Sequence, residues 1–380
     1  MDTRAKRVYR GTHRVVPPGE TWARVAPFLP AMGITRVADL TGLDVIGIPV
    51  FQAVRPNGRT MSVSQGKGIT DELARVSAVM ESIETWHAEE AHVLPSIEAA
   101  VGEMAPHLPY SVFDLPSPER SVLSENTRLR WVSGRSLGGG MPGEPTWIPR
   151  ACVVLDCTDP LGWSPPVLCS DSNGLASGNT LEEALLHGLY EVAERDAVAR
   201  TPDDRSGLEV DRATVSGASA ELLERFARAD AHVRVYDITA APGLFCYDVE
   251  IWSADLPTRF AGWGCHRDAD VALSRALTEA AQSRLTMIAG SRDDIPDDLF
   301  HRVSSRSHLR VPFDPPCPAR SFPGETPLPD SWDADLETAV GAIGALTGEP
   351  VFWVDLTRPE FDIPVVRVIA PGLQLTERLK

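Results

Sequence analysis

Acidic side chains recur at helical spacing in three stretches of this 380-residue sequence. In the first stretch, Ser77, Glu81 and Glu84 lie four and three positions apart, and a helix with about 100° per residue places them within roughly 60° of one another. An ordinary surface helix pairs such carboxylates with Lys or Arg four positions away, whereas the neighbours of this stripe are mainly apolar. Two carboxylates on a half-buried face therefore predict that a cation binds there.

The other two stretches repeat this arrangement. By the same rule, the polar residues of the second stretch fall within roughly 80° and those of the third within roughly 60°. They are Glu183, His187, Glu191 and Glu194 in the second stretch, and Arg275, Glu279 and Gln282 in the third. The residues beside them are mostly Ala, Leu, Met and Val, so neither face is expected to be fully solvated.

Polar turns and cations accompany the stripes. The turn Gly66-Lys67-Gly68 precedes the first helix, which we predict from about residue 70 to 91 with Thr70 as its cap. A glycine-rich turn with two neutral polar residues precedes the second helix. Lys67 and the arginines of the later stripes suit phosphate oxygens. The neutral polar residues of that turn are Ser177 and Asn179, and the arginines are Arg195 and Arg275.

For any one helix, ordinary surface charge is the simpler interpretation. Three such helices, two of them after a glycine-rich turn, favour a shared site instead. Converging carboxylates repel one another, so they hold protons or bind a metal ion. Because the sequence offers glutamates and amides but no cluster of Cys or His residues, the hard ion Mg²⁺ is favoured, and it is usually shared with the phosphates of a nucleotide such as ATP. The GxxxxGK[ST] phosphate loop is absent.

Composition excludes several functional classes. The formal net charge of −17 argues against nucleic acid or an anionic membrane surface as a partner. No apolar run reaches the roughly 18 residues of a membrane span, and we expect a cytoplasmic protein. The six cysteines contain no CxxC pair, so a zinc site is not expected, and the neighbours Cys265 and His266 are better explained by packing than by catalysis.

Long helices without strict strand alternation predict an α+β fold. We expect an N-terminal segment, residues 1–60, packed on one continuous unit of residues 61–380. The proline-rich stretch 293–330 is predicted to be an irregular connection or a lid. Besides the helix at 70–91, the predicted helices are 17–33, a helix beginning in the turn at 172–180, 212–231, 271–290 and 334–346. The predicted strands are 34–42, 44–56, 61–64, 129–133, 147–155, 233–238, 244–252, 260–266, 351–355 and 365–369.

These motifs together resemble the YcaO superfamily of ATP-dependent peptide-modifying enzymes. The matching segments are GTHR near the N-terminus, Ser77-x3-Glu81-x2-Glu84 after GKG, SNGLASGNTLEEALLHGLYEVAERDA, and RALTEAAQSR. Many members have an arginine after the glutamate at position 84, where this chain has Thr85. The resemblance implies a YcaO-type fold and a site for ATP and Mg²⁺, and it assigns no catalytic residue. The implied nucleotide-binding residues are Arg14, Lys67, Ser77, Glu81, Asn179, Glu183, Arg195, Arg275, Glu279 and Gln282. The implied metal ligands are Glu81, Glu84, Glu191 and Glu194.

The resemblance also implies a reaction. Family members activate a backbone amide by phosphorylating its oxygen, and the nucleophile decides whether the product is an azoline, a thioamide or an amidine. The first motif looks most like the members that work with a TfuA partner in thioamide formation, and the chain ends APGLQLTERLK rather than in the PxPxP tail usual in azoline formers. We therefore expect thioamide formation on a ribosomally made peptide or protein, with a TfuA-like partner and a homodimeric enzyme. Azoline or macroamidine formation, or a scaffold that binds ATP or peptide without turnover, are the alternatives.

Overall fold

A computed structural model of the chain describes residues 7–9, 11–138, 143–155, 167–292, 295, 319–324 and 331–375. The helices in these ranges are α1 (Pro18–Val25), α2 (Asp71–Glu90), α3 (Val101–Met104), α4 (Leu181–Arg200), α5 (Gly217–Arg228), α6 (Ala269–Ala289) and α7 (Trp332–Thr347). The strands are β1 (Arg7–Tyr9), β2 (Thr12–Arg14), β3 (Arg36–Asp39), β4 (Val50–Val54), β5 (Val63–Lys67), β6 (Ser96–Ala100), β7 (Arg128–Leu137), β8 (Pro145–Pro149), β9 (Leu175–Ser177), β10 (Val210–Asp211), β11 (His232–Asp237), β12 (Phe245–Trp252), β13 (Phe260–His266), β14 (Arg320–Ser321), β15 (Val351–Asp355) and β16 (Val365–Ile369).

The strands form antiparallel sheets, with β10 and β14 as a short parallel pair. The largest sheet has the order β6-β7-β15-β16-β9, with β8 also paired to β7. Two three-stranded sheets have the orders β3-β4-β5 and β11-β12-β13. Helices and antiparallel sheets are thus combined without regular alternation, and the predicted α+β fold is confirmed.

Three units of one strand followed by one long helix position the acidic stripes. They are β5 with α2, β9 with α4, and β13 with α6. Side-chain oxygens cap all three helices: those of Thr70 and Thr180 accept from backbone N–H groups of the first turn, as does the carboxylate of Asp268. Each stripe therefore begins at a fixed helix end beside its strand.

Glycines let two of these strands approach their helices closely. A Cβ atom added at Gly66 in β5 would lie 1.9 Å from the backbone nitrogen of Ala78 in α2. At Gly262 in β13, it would lie 2.2 Å from the backbone nitrogen of Ala280 in α6. Only a residue without a side chain allows this contact, so the glycines fix how far each helix stands from its sheet.

Several predicted element boundaries are wrong for identifiable reasons. Lys67 does not lie in a turn, because β5 continues through Gly66 and pairs Lys67 with Val50 of β4. The strand predicted at 147–155 ends at Pro149 and continues as a short 3₁₀ turn. The helix predicted at 212–231 covers only 217–228, since a 3₁₀ turn capped by the Asp211 carboxylate precedes it. The helix predicted at 17–33 is α1 followed by a 3₁₀ turn.

The predicted division at residue 60 falls between two paired strands. The strands β4 and β5 lie on either side of it in one sheet, and α1 packs against α2. The division into two parts stays a prediction. Apart from residue 295 and residues 319–324, the predicted lid at 293–330 lies outside the described residues. In the ranges that the structure describes, no helix has both the length and the apolarity needed to cross a bilayer.

Candidate functional site

Glu84 on α2 connects the first unit to the second. One oxygen of its carboxylate accepts hydrogen bonds from the backbone nitrogen of Ser177 at 2.9 Å and from its hydroxyl at 2.5 Å. Burial raises the pKa of Glu84 to about 8 despite these bonds, and the nearby carboxylates of Glu81 and Glu191 raise it further. Without a cation, this carboxyl group holds a proton near neutral pH.

Glu81, one turn earlier on α2, faces the third unit. Burial raises its pKa, the charges of Arg292 and Lys67 oppose that shift, and the Glu279 carboxylate adds to it. The ammonium group of Lys67 donates a hydrogen bond to Glu279 on α6. Burial alone raises the pKa of Glu279, but Lys67 outweighs burial with the help of nearby arginines, and the pKa is lowered. Ser77, the first member of this stripe, is half-buried beside the Gly66 contact.

The second helix brings two more carboxylates. Arg195 lies 3.6 Å from Glu191 in an i,i+4 ion pair on α4. Burial still raises the pKa of Glu191 to about 7, because the Glu194 carboxylate partly offsets the charge of Arg195. Glu194 accepts a hydrogen bond from the backbone nitrogen of Cys265 at 3.0 Å, and its pKa is raised by burial and by Glu279. The three stripes therefore act on one another electrostatically.

Arg14 joins this cluster from the N-terminal segment. Its guanidinium lies 2.5 Å from Nε2 of His187 and 3.5 Å from the carboxylate of Glu183. Burial and the charge of Arg14 lower the pKa of His187, so the ring is neutral and Nε2 accepts the bond. Its Nδ1–H then donates to the carbonyl oxygen of Ser177 at 3.1 Å. A chain of hydrogen bonds thus runs from Arg14 to Ser177 and on to Glu84.

Glu183 and Asn179 hold the turn before α4. The Asn179 amide donates to both oxygens of Glu183 at 3.2 and 3.3 Å, and Glu183 also accepts from the backbone nitrogen of Val15 at 3.2 Å. The Asn179 side-chain oxygen accepts from Thr21 at 2.9 Å. Both residues are therefore already engaged within the chain, which favours a supporting role over direct ligand contact.

Three buried polar atoms of the predicted site lack a hydrogen-bond partner within the described chain. They are Nε of Arg195, Nε of Arg275 and Oε1 of Gln282. Folded proteins satisfy the great majority of such atoms, so these three fit a polar ligand. The two arginine N–H groups suit the phosphates of a nucleotide, whereas the Gln282 oxygen, an acceptor, and the carboxylates suit its metal ion.

The predicted metal ligands are close enough to shift one another's pKa, but they do not form a ready-made ligand set. In the part of the chain that the structure describes, no three His, Cys, Asp or Glu side chains are placed to hold one ion. Mg²⁺ commonly keeps several waters and binds through only one or two carboxylates, so these residues still fit it. The assignment of Glu81, Glu84, Glu191 and Glu194 as ligands stays a prediction.

Sequence reasoning missed one residue of this region and the role of another. Ser177 was named as a polar residue of the turn, but its two hydrogen bonds to Glu84 depend on contact between elements far apart in sequence. Arg367 lies in the middle of β16, in the otherwise apolar segment VVRVI, and is only 4% exposed. A lone arginine in a buried strand is a signal that the sequence offered.

The chain is similar to several known proteins. The sequence profile of a family described as YcaO cyclodehydratase, ATP- and Mg²⁺-binding, matches residues 65–374. An uncharacterized protein of Mycobacterium tuberculosis is 40% identical over 375 residues, which span 96% of this chain and 83% of that protein. A protein of Rhizobium leguminosarum bv. trifolii described as lying in the tfuA 3′ region is 36% identical, spanning 95% of this chain and 89% of the relative.

Among solved structures, the chain is similar to YcaO from Methanopyrus kandleri bound with AMPPCP and Mg²⁺. The two share 25% sequence identity with a TM-score of 0.72, and the match covers 97% of this chain and 95% of that one.

Proposed function

The chain belongs to the YcaO family, and from this we propose that it uses ATP to replace the oxygen of a peptide-bond carbonyl with sulfur. The family is described as ATP- and Mg²⁺-binding, so both cofactors predicted from the sequence are confirmed at the level of the family. Thioamide formation is the finer part of the proposal. It is supported by the likeness of the first motif to TfuA-associated members and by the relative from a tfuA region.

One observation carries the site assignment. Half-buried and buried carboxylates from α2, α4 and α6 lie near three buried atoms without a hydrogen-bond partner in the described chain, namely Nε of Arg195, Nε of Arg275 and Oε1 of Gln282. We assign the two arginines and Lys67 to the phosphates, and Glu84 and Glu191 to Mg²⁺. When bound, the ion offsets phosphate charge, which the surrounding carboxylates alone cannot do.

The proposed reaction makes a poor leaving group into a good one. Hydrosulfide adds to the carbonyl carbon, and the resulting oxyanion takes the terminal phosphoryl group of ATP, releasing ADP. The C–O bond then breaks with its electrons leaving on phosphate, the sulfur gives up its proton to that phosphate, and the C=S bond forms. The cations of the site bind and orient the phosphates, so that the transferred group lies beside the substrate oxygen.

We propose a ribosomally made peptide or protein as the substrate, a TfuA-like protein as the partner and a homodimer as the active form. The test is to coexpress the chain with the TfuA-type protein and with candidate short peptides encoded beside them, and to weigh each peptide. We expect a mass gain equal to the exchange of oxygen for sulfur, which requires partner, ATP and a sulfide source. Loss of one water mass instead identifies azoline or macroamidine formation and overturns the thioamide assignment.

A scaffold that binds ATP or peptide without turnover is the second candidate, and calorimetry of ATP binding distinguishes it. An enzyme of this class is expected to bind ATP much more tightly with Mg²⁺, because the carboxylates repel phosphate until an ion is present. Arg275→Met is expected to weaken that binding by about tenfold or more, since a charge-assisted contact is lost. Arg128→Met, which changes an exposed arginine, is the control. Binding that ignores Mg²⁺ contradicts the enzymatic assignment.

A further inference from the structure

A second, small cavity lies next to α4, beside the middle of β16. Its volume is about 40 Å³. Polar side chains line one part, and apolar residues of β16, α4 and the C-terminal segment up to 375 line the rest. The lining residues used below are Cys152, Asp171, Asn173 and Arg367.

Arg367 supplies the unexplained charge of this cavity. Its side chain is 4% exposed, and one terminal nitrogen donates to the Asp171 carboxylate at 3.1 Å. The remaining two nitrogens, Nε and the other terminal nitrogen, are buried without a hydrogen-bond partner. A guanidinium is always charged and only donates, so these N–H groups call for acceptors, and an anion forms the stronger charge-assisted bond.

Asn173 supplies a complementary group. Its side-chain oxygen is also buried without a partner and lines the same cavity. The ligand that suits both residues accepts hydrogen bonds from Arg367 and donates one hydrogen bond to the side-chain oxygen of Asn173. The thiol of Cys152, whose pKa burial raises to about 12, is neutral and adds a polarizable wall.

Size restricts the ligand further. A cavity needs at least about 10–15 Å³ on this measure for each water-sized atom, so this one holds about three or four such atoms at most. A nucleotide does not fit. A compact anion with one heavy atom and one proton fits the space, the donors and the acceptor together.

We propose that this cavity binds hydrosulfide and keeps it beside the reaction site. The sulfur accepts from Arg367, and the S–H group donates to Asn173. The cavity adjoins the candidate ATP site, because Val192 lines it and the charge of Arg367 opposes the rise in the pKa of the adjacent Glu191. This inference rests on the proposed thioamide function, which would need such a reservoir of its nucleophile.

The test measures anion binding to the full chain directly. Chloride NMR line broadening reports a bound halide, and hydrosulfide is added as competitor. We expect excess broadening that hydrosulfide removes, with the apparent affinity about tenfold or more weaker in Arg367→Met. Asp171→Asn removes the competing negative charge, so it is expected to tighten anion binding, the opposite direction from the first variant.

The outcomes separate this inference from the proposed function. Equal broadening in the wild type and Arg367→Met, chloride that hydrosulfide does not displace, or weaker binding in Asp171→Asn overturns the hydrosulfide site. A bromide-soaked crystal that shows only water at Arg367 does so as well. If the site binds hydrosulfide but the coexpressed peptide loses water instead of gaining sulfur, the thioamide function fails while the anion site stands. Thermal unfolding of both variants checks that they are folded.

Discussion

Two glutamates on helix α2, the buried Glu89 and the half-buried Glu84, have opposite surroundings. Glu89 accepts from both terminal nitrogens of Arg55, at 2.5 and 2.7 Å, and from the backbone nitrogens of Arg59 and Thr60. Among the described residues, Glu84 accepts hydrogen bonds from Ser177 alone, and its pKa rises to about 8. The Glu89 carboxylate is thus fully paired within the chain, whereas Glu84 has no ion-pair partner in the described part. The difference separates a residue that stabilises the chain from one available to a ligand.

The largest effect is expected at Glu89, whose carboxylate is paired with Arg55. Glu89→Ala leaves Arg55 buried and without its partner, and removing one member of a buried ion pair costs about 3–5 kcal/mol in the free energy of unfolding. Urea denaturation of the variant and the wild type measures this difference in the free energy of unfolding. Glu90→Ala, which changes a partly exposed residue paired with Arg59 at 3.4 Å, is the control and should cost less than about 1 kcal/mol. Similar losses in the two variants would contradict the comparison.

At Glu84, the effect is expected on turnover. Glu84→Gln keeps an acceptor for Ser177 but removes the negative charge, and loss of such an electrostatic contact lowers turnover by about 100-fold or more. Glu191→Gln is expected to behave alike. Because both changes remove carboxyl groups that burial destabilises, the free energy of unfolding should not fall. Unfolded variants would mean that these glutamates are structural.

His87, between the two glutamates on α2, predicts a pH effect. Burial lowers its pKa to about 4, while its Nδ1–H donates to the Ile83 carbonyl and the charges of Arg358, Glu360 and Asp355 act on it. Between about pH 6.5 and 4, the unfolded chain binds a proton that the folded chain does not, so stability falls as pH falls. The expected loss is about 2 kcal/mol from pH 7 to 5. His87→Gln should flatten this part of the urea-denaturation profile, and an unchanged slope would disprove the assignment.

The smallest effect concerns the position of α2 itself. Gly66→Ala puts a Cβ atom 1.9 Å from the backbone nitrogen of Ala78, and overpacking of this kind costs about 1–3 kcal/mol. The change should also weaken ATP binding, since it displaces the face that carries Glu81 and Glu84. Gly19→Ala, where a Cβ atom meets nothing within 4 Å, is the control. If Gly19→Ala weakened ATP binding as well, the close contact of Gly66 with α2 would not be the cause, and the prediction would be wrong.

Sequence reasoning predicted the local features of this site because helical periodicity is local. The helix 70–91 is found as Asp71–Glu90, and its three-residue stripe follows from spacing alone. The turn predicted around Lys67 was wrong because its glycines serve a contact with α2 instead, which depends on packing. The hydrogen bond between Ser177 and Glu84 joins residues 93 positions apart, and that between Arg55 and Glu89 joins residues 34 positions apart. Both separations are beyond the range of any local pattern.

The hydrogen bond between Lys67 and Glu279 has a consequence for how the proposed site loads. A lysine has one ammonium group, so a phosphate that recruits it must take it from the carboxylate. Glu279 then stands among Glu81 and Glu194 with less compensation, unless another positive charge arrives at the same time. Loading is therefore an exchange of partners rather than the filling of an empty space. With Lys67 assigned to phosphate as proposed, we expect nucleotide and metal ion to bind together more tightly than either alone, because each alone leaves charge unmatched.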